Sequence, residues 1–175
     1  VNDKRMDKIL RRATPTDAQE LARIHVAAWH EAYRGIVPEA TLAQFTVEVR
    51  SQRFLVFLSE GTAETYLAEH DNGAVGFLTL GDCRDPDLDN RKTGEIWGIY
   101  ILPEYWRRGF GRFLCQQGQK LLASRGFTIA TLWVLEANNQ ARGFYRAMGF
   151  SADGTTKQLP FGIPLTALRY RKTLS

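Results

Sequence analysis

Residues 95–112 read EIWGIYILPEYWRRGFGR. Glu95 to Leu102, rich in β-branched and aromatic side chains, predict a buried strand that Pro103 closes. Apolar residues at 110, 113, 114, 121 and 122 then predict one face of a helix starting at Phe110 and stopped by Gly126. Such a junction binds anions, because the N–H groups of a first helical turn have no partners inside the helix and the helix dipole adds partial positive charge there. Gly109 and Gly111 leave room for phosphate oxygens to reach the backbone, while Arg107, Arg108 and Arg112 add charge and forked donors. A pyrophosphate matches this description; the plainer alternative is a glycine turn beside solvated arginines. Two other phosphate motifs fail: no GxxxxGK[ST] is present, and Leu114 stands where a dinucleotide fingerprint needs Gly or Ala.

Working outward, Thr65–Glu69 and Ala74–Leu80 flank Asp71-Asn72-Gly73 and predict a hairpin, followed by a polar, Asp-rich stretch from Gly81 to Thr93. Upstream, Ile9 to Ala13 predicts a short strand. Thr16 or Asp17 is the expected cap of a helix with apolar face Leu21, Ile24, Ala28 and Ala32, ended by Gly35. A second helical stretch begins after Pro38 and runs on through Phe54 and Phe57. Downstream, Thr128–Leu135 predicts a strand, and Asn138 or Asn139 caps a short helix containing Ala141, Phe144, Tyr145 and Met148, ended by Gly149. Phe150–Thr155 and Leu165–Lys172 are the last strands, separated by a loop with Pro160, Gly162 and Pro164. The order β α α β β β α β α β β defines an α/β domain with a mixed sheet.

The 175 residues are 44% hydrophobic and 24% charged, a balance that excludes a disordered tail or a collagen-like rod. One domain over residues 1–175 is the expectation, with residues 1–6 set aside. Lys plus Arg is 23 against 19 for Asp plus Glu, a net charge of +4 compatible with an anionic ligand. Cys83 and Cys115 form no CxxC or Cys/His cluster, so neither a disulfide framework nor a metal site is expected. No apolar run approaches the ~18 residues of a membrane span, and VNDKRMDKILRR lacks the apolar centre of a signal peptide, which predicts a cytoplasmic protein without a membrane partner.

PEYWRRGFGR after a hydrophobic strand, followed by NNQARGFYRAMGF, resembles the GNAT superfamily of acetyl-CoA-dependent N-acetyltransferases. Gly109 and Gly111 match the family's Q/R-x-x-G-x-G/A, with Trp106 where Gln or Arg is usual. Asn138, Ala141, Phe144, Tyr145, Gly149 and Phe150 match N-x-x-A-x-x-[FL]-Y-x-x-x-G-F. Residues 25–39, HVAAWHEAYRGIVPE, look like the family's first helix and following loop, and LRYRKTL like its last strand. The resemblance implies a mostly antiparallel central sheet whose fourth and fifth strands splay apart, with the pantetheine arm of CoA along Ile99, Tyr100 and Ile101 and the pyrophosphate on residues 107–112, Phe110 included. It also implies Asn138 as a CoA contact and Tyr145 as the acid that protonates the leaving thiolate. The cosubstrate it implies is acetyl-CoA, the partner an amine acceptor, small molecule or peptide, and the assembly sometimes a homodimer.

Acetyl transfer needs a neutral amine. An amine of pKa ~10.4 is neutral about once in 2,500 molecules at pH 7, an obstacle of roughly 4.6 kcal/mol that a base or water chain removes. Glu95 is the candidate base: period-2 alternation puts it on one face with Trp97, Ile99 and Ile101, and its offset from Gly109 resembles that of the base glutamate in the histone-acetylating branch of the family. A solvated carboxylate at a strand start is the alternative. Where other relatives carry a fifth-strand glutamate, Trp133 stands here. Trp29, Tyr33, Trp97 and Trp133 are the candidate acceptor-pocket residues, and the Asp82–Asp89 loop is a candidate attractor for a cationic amine; core packing and a solvated loop are the alternatives. His25 and His30, five apart, lack HExxH spacing and are read as border or packing residues.

Two competing functions follow. A non-catalytic acyl-CoA-sensing module is suggested by Trp106, Trp133 and the open question of the base. Nucleic-acid binding is disfavoured, because the basic residues cluster at the phosphate turn and the chain ends rather than along one helix or aromatic strand.

Overall fold

In the computed structural model, which describes residues 7–71 and 73–174, the chain opens with β1 (Ile9–Arg12) and a single 3-10 turn, Pro15–Asp17. Asp17, one of the two expected caps, is the N-cap of the first helix, and a second cap precedes it. Thr14 starts the turn in a reciprocal box with Asp17, whose Oδ2 accepts the Thr14 N–H at 2.7 Å, and Pro15 fits the first position because it has no N–H to satisfy. α1 (Ala18–Ala32) continues from there and ends before Gly35, which adopts a left-handed φ of 76° in the following loop. The second helical stretch is two helices, α2 (Glu39–Leu42) and α3 (Val47–Glu60), because Thr46 turns extended and its hydroxyl accepts the Val49 N–H as a new N-cap.

The hairpin forms as predicted from β2 (Glu64–His70) and β3 (Gly73–Asp82), although Asn72 of its turn lies outside the described residues. β4 (Thr93–Ile101) leads through a 3-10 turn, Pro103–Tyr105, into α4 (Phe110–Ser124). β5 (Ile129–Leu135), α5 (Asn139–Ala147), β6 (Ser151–Pro160) and β7 (Pro164–Thr173) complete the chain. β6 and β7 pair through Pro160 and Pro164, so only residues 161–163 remain of the predicted loop.

The seven strands form one sheet in the order β1-β2-β3-β4-β5-β7-β6, antiparallel except for β4 and β5. Among the described residues that parallel pair is joined at Thr93–Ile129, Gly94–Ala130 and Glu95–Thr131; beyond it the strands diverge, and β4 runs on to Ile101 with no strand beside it on that side among those residues. One face of the sheet carries α4 and α5, with Phe110, Leu114 and Leu122 packed on Leu78, Leu80, Ile96 and Leu132. The other carries α1, whose Leu21 and Ile24 pack on Leu67 and Phe77. Each such side chain removed from water contributes about 1.5–3 kcal/mol, so the sheet is held by packed layers on both faces.

A β-bulge overturns the predicted strand face. Gly98 opposes Thr79 and Ile96 opposes Leu80, which leaves Trp97 as the extra residue. The alternation shifts by one, so Ile99 and Ile101 share the α4 side with Ile96, while Tyr100 packs with Phe77 on the α1 side.

Candidate active site

The gap between β4 and β5 opens into a cavity of about 520 Å³. One end lies at the start of α4, where Arg107, Gly109, Gly111 and Arg112 form its wall; the middle is lined by Gly98, Ile99, Tyr100 and Ile101 of β4 and by Asn138, Ala141, Phe144 and Tyr145; Tyr33, Trp97 and Trp133 line it as well. Arg107 (φ 60°) and Gly109 (φ 83°) are both left-handed, and Gly109 is the N-cap of α4. Gly111 comes close to α5: a Cβ there would meet the Phe144 ring at 3.3 Å and Ile101 at 3.4 Å. Its smallness thus serves helix packing as well as clearance at the turn. Arg108 and Phe110 are not in the wall. Arg108 lies 5.4 Å from the Tyr105 ring centre, and Phe110 is fully buried in the core.

Trp106 has a use that the sequence pattern did not signal: its Nε1–H donates to the Ile101 carbonyl at 2.7 Å, fastening the turn to the free end of β4. Asn138 caps α5 by accepting the Ala141 N–H at 3.0 Å, which aims the helix start at the cavity. Tyr145, two helical turns on from Asn138, is buried, and burial pushes its phenol well above the ordinary value, with Cys115, Tyr33 and Tyr100 nearby acting in the same direction. Its hydroxyl therefore remains protonated throughout the neutral range.

Glu95 sits differently from the sequence expectation. It is 1% exposed and outside the cavity wall, and its carboxylate accepts from the Arg84 guanidinium at 2.5 and 3.2 Å and from the Arg84 backbone N–H at 3.0 Å. The Arg84 guanidinium in turn lies 4.1 Å from the centre of the Trp97 ring. Arg84 carries no sequence signal, since only the β3–β4 connection brings it to Glu95. The Asp-rich loop is likewise occupied: Asp85 and Asp87 bond Arg169 and Asp89 bonds Arg91, while Asp85 also accepts from Trp133 Nε1 at 3.1 Å. Trp29 is buried beneath Phe45, its ring 4.3 Å away, and does not line the cavity. His25 is buried beside Tyr100, and His30 contacts the Phe45 carbonyl at 3.2 Å.

The fold, the diverging strands and this cavity define an acyltransferase of the GNAT class. The sequence matches the Acetyltransferase (GNAT) family over residues 26–150, and the chain belongs to that family. It is 31% identical over 136 residues to an uncharacterised N-acetyltransferase of Archaeoglobus fulgidus, covering 78% of this chain and 88% of that protein. It is 29% identical over 130 residues to the uncharacterised N-acetyltransferase YuaI of Bacillus subtilis, covering 74% and 72%. In fold it is similar to the PaiA N-acetyltransferase of Thermoplasma acidophilum, solved in complex with coenzyme A, with a TM-score of 0.75 and 20% identity over 96% of this chain and 99% of that one.

Proposed function

We propose that the protein transfers the acetyl group of acetyl-CoA to a primary amine of a small molecule or peptide by direct attack in a ternary complex. The observation that carries this reading is the single cavity connecting the start of α4 to Tyr145 along the unpaired side of β4. Free helix N–H groups, two left-handed residues and the adjacent Arg107 and Arg112 suit a pyrophosphate at one end. The unpaired side of β4 suits the amides of a pantetheine arm along Ile99 and Tyr100; at Ile101 the carbonyl is committed to Trp106. Acetyl-CoA held there would supply an acyl group activated as a thioester.

The chain's own residues then have three tasks. A β4 backbone N–H in the Ile99–Ile101 stretch donates to the carbonyl oxygen as negative charge develops on it. The Tyr145 hydroxyl donates its proton to the departing sulfur and is reprotonated by the proton that the attacking nitrogen loses as the amide forms, a task for which a phenol that stays protonated is suited. Tyr33, Trp97 and Trp133 border the amine. Glu95, with its carboxylate committed to Arg84, acts as a positioning residue for Trp97, and the ammonium proton passes to water at the open end of the cavity. The same cavity without turnover would be an acyl-CoA sensor, so binding and turnover need separate tests. Titration with CoA should show saturable one-to-one binding that Ala141→Trp, filling the cavity, abolishes; equal binding by the variant would rule the cavity out as the CoA site.

A further inference from the structure

Trp97 and Trp133 stand on either side of the point where β4 and β5 part. Glu95 and Thr131 form the pair nearest the gap, and each tryptophan lies two positions further along its strand. Both project on the sheet face away from α4: Leu132 and Val134, which flank Trp133 in sequence, pack in the α4 layer, while the Trp97 ring lies 5.9 Å from that of Phe57 on α3. Both are half-buried and line the cavity. Their indole N–H groups are already used. Trp97 Nε1 donates to the Asp82 carbonyl at 3.3 Å and Trp133 Nε1 to the Asp85 carboxylate at 3.1 Å, so the chain leaving β3 holds both rings. Each ring also carries a cation: the Arg84 guanidinium carbon lies 4.1 Å from the Trp97 centre, and Lys157 Nζ of β6 lies 3.9 Å from the Trp133 centre. Arg169, the register partner of Trp133 on β7, is buried and bonds Asp85 and Asp87, which ties the same connection to the sheet.

An indole has one donor and no acceptor, and here that donor is committed in both rings. What each ring has left to offer the cavity is carbon surface. Because the rings are fixed in place before any ligand arrives, little ordering cost falls on binding. Such surface suits another ring, since offset or edge-on aromatic pairs are worth more than their buried area alone. A distal ammonium fits less well. It would find each ring already carrying a cation, and Glu95, Asp85 and Asp87 already engaged by Arg84 and Arg169.

We propose that Trp97 and Trp133 form a subsite for the side group of the acceptor, and that the acceptor is a primary amine bearing an aryl ring on a short alkyl chain. This rests on the acetyltransferase reading and narrows its acceptor. The test is a matched series of amines assayed with acetyl-CoA: phenethylamine, hexylamine and a diamine of similar length. Wild type should prefer phenethylamine over hexylamine by about fivefold, and over the diamine by about tenfold or more, in kcat/KM and mostly through KM. Trp133→Ala should bring the phenethylamine to hexylamine ratio close to one, and Trp133→Phe should keep most of it. A wild-type ratio near one, a preference for the diamine, or an undiminished ratio in Trp133→Ala overturns the proposal. Binding is read separately from turnover by the 15N indole resonances of Trp97 and Trp133, identified by their loss in Trp97→Phe and Trp133→Phe. With CoA present, N-phenethylacetamide should shift both, at lower concentration than N-hexylacetamide does. If no amine is turned over, the acetyltransferase reading fails and this titration still decides the subsite, as it does if Trp133→Ala does not fold; absence of a shift at either indole overturns the subsite.

Discussion

Glu95 shows how much a side chain's role depends on what folds next to it. Spacing brought it forward as a base, yet its oxygens accept from Arg84, whose guanidinium lies over the Trp97 ring. Replacing Glu95 with Gln should therefore lower stability by about 1–2 kcal/mol, toward the low end for a buried pair because the Arg84 side chain is 52% exposed. Urea unfolding measures this. The acid limb of the pH profile of kcat/KM should keep its midpoint in that variant; its disappearance would return Glu95 to the role of base.

Among the elements, the turn into α4 was the most legible in sequence. Gly109, Gly111 and the arginines are local signals: Gly109 adopts a left-handed φ, and Gly111 lies close against the Phe144 ring. Gly109→Ala forces a side chain into a left-handed φ of 83° beside the Lys8 ammonium, which a new Cβ would meet at 2.7 Å. We expect a loss of about 1 kcal/mol in unfolding free energy and weaker CoA binding, measured by urea titration and calorimetry. Thr14→Ala should cost about 1 kcal/mol through the lost cap, whereas Thr16→Ala should cost little. What the sequence concealed was non-local. The bulge at Trp97 had one local hint, Gly98 inside the strand, but its place is set by the pairing with β3, and it moves Ile99 and Ile101 to the other face. The break at Thr46 was hidden because Leu42, Phe45, Phe54 and Phe57 keep an apolar character across it. Arg84 has no motif and acquires meaning only from its neighbours Glu95 and Trp97.

For the molecule as a whole, the buried aromatic layer around His25 carries a stability contribution that varies with pH. Burial among Trp29, Phe54, Phe77 and Tyr100 lowers the pKa of His25 to about 3 from an ordinary 6.5. Between those values the unfolded chain binds a proton that the folded chain does not, so stability rises with pH through this window and falls as the solution is acidified below about 6.5. Urea midpoints from pH 7 to 4.5 should decline more steeply for wild type than for His25→Phe; parallel curves would contradict the assignment. The family match over residues 26–150 and the sheet's topology agree, and the cavity between β4 and β5 is where activity is to be sought. Its most direct test is amine-dependent thiol release from acetyl-CoA, followed over a broad panel of primary amines with wild type and Tyr145→Phe. The account predicts release that requires both acetyl-CoA and an amine, slowed about a hundredfold by Tyr145→Phe while CoA affinity stays within a few fold. Tight CoA binding with no release on any amine, or an unchanged rate in Tyr145→Phe, would contradict it.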